Sequence, residues 1–333
     1  MDKIKTKQRN TTGTWASRAL FIVLGTVLAI YAFVLLWMLF WGVLTSLKSE
    51  ADYLGDKGFI AAGPNLLGFP RADKNTLGNS FKELFTLRNY RMFMSKMSVT
   101  GKVSYYKTGA SEPVIYQVVN SFGMMLGNTM AYTIGGALIY AFMPALTAYL
   151  CAKYDYKLSR AIVVVYTLMM CMPIVGNLPT ELTFLRDVGL YDSILGNYVQ
   201  KMTGSGMYYF VYLAYFKGTS NTYKEAATID GAGPVTVMFR IYFPLAIKMM
   251  STVFLIQFVN LWNDYQTPLV YMPTWPTLAY GIFYLSKLVM DRDFYSITVQ
   301  IAGPMILAIP IVIIFILFKD KLMGNITLGG IKE

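Results

Sequence analysis

From Ala19 to Leu47 the chain carries no charged residue. A run of that length has one stable setting, because about 20 apolar residues in a helix cross the hydrocarbon of a bilayer. Only a helix satisfies its own backbone there. The run is too long for the roughly 7 to 15 apolar residues of a signal peptide, and no obvious small-residue cleavage site follows it. Residues 19–47 are therefore expected to be a retained first transmembrane helix. Similar runs recur, and with 55% hydrophobic against 14% charged residues and a mean hydropathy of +0.46 the chain is too apolar for a soluble domain. The expected class is an all-α polytopic membrane protein.

The net charge of +11 does not point to nucleic acid, since the positive residues flank the apolar runs and no nucleic-acid-binding motif accompanies them. They report topology instead. Lys3, Lys5, Lys7, Arg9 and Arg18 stand against Asp2 alone, which puts residues 1–18 in the cytoplasm. Residues 48–120 are a long polar region, expected outside. A second span over 126–150 ends at "KYDYKLSR", where positive charge returns, and a third covers 161–178. A fourth, over 202–216, is short. A fifth begins near Met249, and a sixth covers 297–318, followed by a cytoplasmic tail, 321–333. The expectation is six spans with both termini cytoplasmic and a core over 121–320.

Several chemistries are excluded. Histidine is absent, which removes the usual general base and the commonest metal ligand. Cys151 and Cys171 lack metal-ligand spacing, so no metal site is expected. No G-x-x-x-x-G-K-[ST] loop occurs, since Gly101-Lys102 has neither the upstream glycine nor the following hydroxyl. No ATP site and no other cofactor is expected on this chain. The alternative of a stand-alone secondary transporter would need ionisable residues at mid-membrane. The proposed spans hold only Asp264, about 22 Å from the inner end of its helix if that helix starts at Met249.

One stretch looks out of place beside the apolar runs: "KEAATIDGAGPVTVMFRIYFPLA", Lys224 to Ala246. Thr222 and Glu225 stand in the T-x-x-E relation of a capping box, so a helix should begin there. Gly231 can end it in the left-handed conformation, and Pro234 suits the first turn of the next helix. In that second helix, expected over 234–241, Val235, Met238 and Phe239 make an apolar stripe. Ala226 and Ala227 offer a surface that another backbone can approach. The shape expected over 222–246 is a short helix, a tight turn and a second helix between the fourth and fifth spans.

The stretch resembles the EAA loop of permease subunits of ATP-binding cassette importers, through Glu225, Ala226, Ala227, Asp230, Gly231, Ile241 and Pro244. "NSFGMMLGNT", "LPTELTFLRDVGLYDS", "WNDYQTPLV" and the closing "GNITLGGIK" resemble the carbohydrate-importer branch, the group like the maltose-type second permease. The resemblance covers about Asn120 to Lys332. It implies a subunit of the bacterial cell membrane that forms half of a translocation pathway with a second homologous permease. It also implies two ATPase subunits carrying ATP and Mg, an extracellular sugar-binding protein, and a loop that couples the spans to the ATPases. Lys248 departs from the branch's usual proline, and the outer loop before Asn120 is longer than typical. On residue chemistry alone, Glu225 caps a helix and Gly231 ends one; a docking helix must do both as well.

For cargo, Asn260, Trp262, Asn263, Asp264 and Tyr265 gather hydroxyl-binding groups and aromatic faces in one segment, a candidate pathway for sugar. The same residues suit an interfacial aromatic belt and helix packing equally.

Overall fold

A computed structural model describes residues 15–54, 87–106, 113–171, 176, 178–202, 206–287 and 296–324. The N-terminal residues 1–14, most of the expected outer loop and the tail "NITLGGIKE" lie outside the described residues. The described chain is mostly helical, and four helices are long and apolar enough to cross a membrane: Ser17–Ser46, Phe122–Lys153, Pro234–Trp262 and Ile297–Phe318. It forms two compact units.

The first unit takes in residues up to Asn89 together with Ile297–Met305. Helix α1 (Trp15–Ser46) is apolar on every side, and Leu20, Phe21, Leu28, Phe33 and Leu36 all face outward, as expected of a helix solvated by lipid or by other helices. Its one polar interior group, Thr26 Oγ1, donates to the Ile22 carbonyl at 2.8 Å. The helix ends at a turn followed by the short α2 (Glu50–Leu54). Asn89 Nδ2 closes that turn by donating to the carbonyls of Ser46 and Lys48 at 2.8 and 2.7 Å.

The second unit holds Tyr90–Ser296 and the chain from Ile306 onward. Helix α3 (Arg88–Lys96) leads into an antiparallel hairpin, β1 (Ser98–Tyr106) and β2 (Pro113–Ser121), with Ser98 opposite Ser121 and Tyr106 opposite Pro113. The hairpin qualifies the all-α expectation. It lies inside the polar region 48–120, where strand pairing was hidden because β2 exposes residues of both faces, Val114, Ile115, Tyr116 and Val119 among them, and so lacks a clean period-two pattern.

Strand β2 runs directly into α4 (Phe122–Lys153), the long central span. Helices α5 (Lys157–Cys171), α6 (Leu178–Asp187), α7 (Ile194–Met202) and α8 (Gly206–Gly218) follow. At about 1.5 Å per residue, α5 and α8 are roughly 22 and 20 Å long. Both are shorter than the about 30 Å of a hydrocarbon core. They occupy the places expected for the third and fourth spans, and over their described residues they are shorter than a span.

Next come α9 (Thr222–Ile229) and α10 (Pro234–Val237), which continues through a wide turn, Met238–Tyr242, into α11 (Phe243–Trp262). Short helices α12 (Gln266–Tyr271) and α13 (Leu278–Lys287) precede α14 (Ile297–Gly324).

Two apolar clusters hold α4 against its neighbours. One joins Ala145, Ala148 and Tyr149 of α4 to Tyr209, Tyr212 and Phe216 of α8 and to Tyr242, Phe243 and Ala246. The other joins Tyr132 and Ala137 to Phe258, Leu261 and Trp262. Alanines on α4 let the aromatic helices approach closely, as small residues do where helices meet in membranes.

Two of the quoted sequence segments prove to be braces. In "NSFGMMLGNT", Asn120 Nδ2 donates to the Thr274 carbonyl at 3.2 Å and Asn128 Nδ2 to that of Pro276 at 3.1 Å, while Thr129 Oγ1 accepts from the Leu278 amide at 2.8 Å. In "LPTELTFLRDVGLYDS", Glu181 accepts from Tyr271 Oη at 2.6 Å and from Gln200 at 2.8 Å. Asp192 accepts from the Thr274 amide and hydroxyl at 2.9 and 2.6 Å. Burial pushes the Asp192 carboxyl above its usual range, against the pull of those two bonds.

The hairpin meets the 273–278 loop with no side chain between them. A Cβ added to Gly101 would stand 2.2 Å from the Pro273 carbonyl oxygen and 2.6 Å from Thr274 Cα. Gly101→Val should therefore destabilise the protein by about 1–3 kcal/mol, the range for overpacking a rigid contact. A lowered thermal midpoint in detergent would register it, and an unchanged midpoint would show that the hairpin is not held there.

Candidate functional site

The residues carrying the EAA resemblance form a short helix, a turn and the start of a long helix. The turn follows from Gly231, whose φ of +79° is open to glycine at no steric cost. The amide of Ala232 donates to the Ala227 carbonyl at 2.9 Å and that of Gly231 to the Thr228 carbonyl at 3.0 Å, the paired bonds of a Schellman ending. Pro234 then opens α10 from the extended Gly233.

The start of α9 differs from the capping-box expectation. Asn221 occupies the cap position, Thr222 is already helical, and no side-chain cap bond forms. Ser220 Oγ accepts from the Thr222 amide at 3.2 Å and lies 2.8 Å from its hydroxyl. The Asn221 side chain is engaged elsewhere, by Lys153 at 2.9 Å.

The second helix is also corrected. It is not a separate element over 234–241, and the helix that carries the expected fifth span begins at Pro234 rather than near Met249. One helical path runs from Pro234 to Trp262. The wide turn is marked by the Phe243 amide donating to the Met238 carbonyl, five residues back. Its place has a physical reason: Pro244 has no amide for the Arg240 carbonyl and its ring would crowd that carbonyl in a regular helix. Ile241 and Pro244 are thus the residues around which the helix widens. The expected stripe splits, with Met238 buried while Val235 and Phe239 are exposed.

Glu225, Ala226, Asp230 and Gly231 face outward, whereas Ala227 is buried against the core. Tyr223, Ile229 and Val235 add exposed apolar area, Ile229 being 87% accessible. Sequence reasoning missed Tyr223 and Ile229. The signal was there: large apolar residues interrupting a charged stretch. The site as a whole is a small helical knuckle with one carboxylate-bearing, small-residue face and an apolar rim, suited to seating in a groove.

Behind it lies a polar brace. Lys153 Nζ donates to the Thr219 carbonyl at 2.6 Å, Lys224 Nζ donates to the Lys153 carbonyl at 3.1 Å, and Tyr242 Oη donates to the Ser220 carbonyl at 3.0 Å.

The candidate pathway residues do not form one surface. Asn260 and Asn263 are exposed, and Asn263 Nδ2 donates to the Val259 carbonyl at 3.0 Å. Tyr265 is half-buried and stacks on Phe283 at 4.3 Å. Trp262 is buried, and its indole nitrogen donates to the Leu307 carbonyl at 3.1 Å. Asp264 accepts from Tyr132 Oη at 2.6 Å and from the Thr267 amide at 3.0 Å. The buried Lys201 reaches Tyr132 Oη at 3.3 Å and also bonds Asn197. Asp264 thus belongs to a network tying α4, α7 and the end of α11 together. Among the described residues no group of three or more metal-ligating side chains gathers.

Comparison with known proteins places this geometry. The profile of the family described as "Binding-protein-dependent transport system inner membrane component" matches residues 144–327, more than half of the chain. The melibiose/raffinose/stachyose import permease protein MelC of Bacillus subtilis is 24% identical over 64% of this chain and 77% of its own. A probable starch degradation products transport system permease, AmyC of Thermoanaerobacterium thermosulfurigenes, is 28% identical over 77% of this chain and 89% of its own. Among solved structures, a bacterial ABC transporter involved in the import of the acidic polysaccharide alginate shares the fold, with a TM-score of 0.67 at 20% identity over 92% of this chain and 98% of that one.

Gly231→Ala should cost about 1–2 kcal/mol, the penalty for a side chain in the left-handed region. Amide exchange at Ala232 should then rise about tenfold as the Schellman bonds open more often. Unchanged exchange would mean the turn does not depend on that conformation.

Proposed function

The chain belongs to the binding-protein-dependent transport system inner membrane components, and on that premise we propose that it is one of two homologous permease subunits of an ATP-driven carbohydrate importer. It is a multi-pass membrane protein and a transport subunit rather than an enzyme. The proposed cargo is an oligosaccharide, in keeping with the names of its relatives. In this reading the chain crosses the membrane six times, with both termini cytoplasmic. The shorter α5 and α8 serve as the third and fourth spans, extended by the chain beside them or met by local thinning of the bilayer.

The partners are a second permease that completes the path, two ATPase subunits that carry ATP and Mg, and an extracellular sugar-binding protein. ATP binding closes the ATPase pair, and the knuckle of residues 222–246 passes that motion to the spans as a rigid-body shift. The pathway side of the chain is assigned to the end of α11. There Asn260, Asn263 and Tyr265 offer polar and aromatic groups to sugar hydroxyls and C–H faces. Trp262 and Asp264 support them from behind.

One observation carries the coupling reading. Glu225, Ala226, Asp230 and Gly231 stand outward on a knuckle whose turn, brace and continuous helix give it a defined shape with no occupant of its own chain among the described residues.

The test is substitution of that face in the assembled transporter. Glu225→Lys and Gly231→Trp should cut sugar uptake at least about tenfold, in line with the loss of one or two charge-assisted or close contacts. The amount of ATPase subunit co-purifying with the permease should fall with it. Normal uptake with an intact complex in both variants would remove the coupling role.

A further inference from the structure

The knuckle has almost no apolar hold on the rest of the chain through α9, where Ala227 is the one buried residue. Its attachment is polar and reciprocal. Lys153 is the last residue of α4, and its ammonium reaches into the turn before α9, donating to the Thr219 carbonyl at 2.6 Å and to Asn221 Oδ1 at 2.9 Å. Lys224, in the first turn of α9, reaches back the other way and donates to the Lys153 carbonyl at 3.1 Å. That carbonyl is at the C-terminus of α4, where helical carbonyls lack partners within the helix and favour a cation.

Each ammonium also lies over a tyrosine ring. Lys153 Nζ is 4.9 Å from the centre of Tyr242, and Lys224 Nζ is 4.0 Å from that of Tyr154. Tyr242 in turn donates to the Ser220 carbonyl at 3.0 Å, which brings in the wide turn before α11. The end of α4, the turn 219–221, the first turn of α9 and the start of α11 are therefore stitched at one point. Charge-assisted bonds of this kind are about twice as strong as neutral ones and fix direction as well as distance.

The two routes out of the knuckle differ in kind. Toward α11 the connection is covalent and helical, from Pro234 onward. Toward α4 the later knuckle residues Tyr242, Phe243 and Ala246 pack on Tyr149, but α9 itself buries only Ala227, and without the lysines α9 could swing on the chain at residues 218–221 and leave α4 in place.

We propose that Lys153 and Lys224 are positioning residues that form a two-way clasp, transmitting displacement of α9 directly to α4, against which α11 is already packed. The inference rests on the reading that ATPase subunits grip the 222–246 knuckle. It adds which side chains carry the motion onward and into which helix.

The experiment uses the complete transporter in proteoliposomes, with sugar uptake and ATP hydrolysis measured on the same preparation. Lys153→Met and Lys224→Met keep side-chain length and remove the charge and its bonds. Lys153→Met, at the end of α4 and outside the knuckle, should retain the ATPase subunits and hydrolyse ATP while sugar moved per ATP falls about five- to tenfold, the low end of a coupling between sites, and Lys224→Met should lower the same ratio. A merely structural role would lower the yield of complex and leave that ratio unchanged. A wild-type ratio in both variants overturns the clasp, and so does joint loss of ATPase subunits and uptake in both. Lys224 is half-buried at the surface and the gentler of the two changes, so its variant keeps the test open should Lys153→Met fail to fold. Glu225→Lys and Gly231→Trp run in parallel separate the two ideas. If they leave ATPase association and uptake intact, the coupling reading itself fails; if they disrupt it while the lysine variants keep a normal ratio, only the clasp does.

Discussion

A peptide group in hydrocarbon has no water to bond, and leaving one unpaired costs several kcal/mol. The long helices α1, α4, α11 and α14 meet this condition by themselves. The places where the chain stops being helical do not, and at those places side chains and neighbouring carbonyls take over. The end of α4 is served by Lys224, the stretch 271–278 by Asp192, Asn120, Asn128 and Thr129, and the end of α11 by Tyr132 through Asp264. The polar residues of this apolar chain are concentrated where helices are interrupted.

The knuckle is both shaped and exposed. Its turn closes its own carbonyls through the Schellman bonds, and its wide turn accommodates the missing amide of Pro244. The bonds that define its shape are made inward or within itself, so the face carrying Glu225, Ala226 and Asp230 stays exposed. A loop whose shape depended on that partner would lose ordering entropy each time it was gripped. One already held by its own backbone and by Lys153 does not.

Much of this was legible in the sequence, and the parts that were not share a cause. Three of the four long helices follow from charge-free runs, and the turn at Gly231 and the start at Pro234 follow from local backbone chemistry. What sequence reading missed depends on who meets whom. Thr222 and Glu225 have capping-box spacing, but Ser220 reaches the Thr222 amide first and the helix starts differently. The sequence predicts a fifth span from near Met249, yet backbone bonding runs from Pro234 through Arg240 and Lys248, since charged side chains can reach the rim of a bilayer without interrupting a helix. Lys153 read only as a marker of topology, and its ammonium is also a brace. Trp262 read as either belt or sugar platform and is neither: its ring is packed in the core and its indole nitrogen is bonded to the Leu307 carbonyl.

The burial of the long helices bears on what the chain needs from outside. In their most apolar windows, 39% of residues in Phe122–Lys153 and 33% in Pro234–Trp262 are buried within the chain, against none in Ser17–Ser46 and 11% in Ile297–Phe318. The first two are the helices that receive the clasp and the covalent route from the knuckle. Being packed against each other through Tyr149, Phe243, Ala246 and Trp262, they can move as a body without opening a cavity, since close-packed interiors shift as units more readily than they deform. The other two present apolar surface along their length, which lipid or a neighbouring helix can cover at similar energy because tails and leucine side chains are equally apolar.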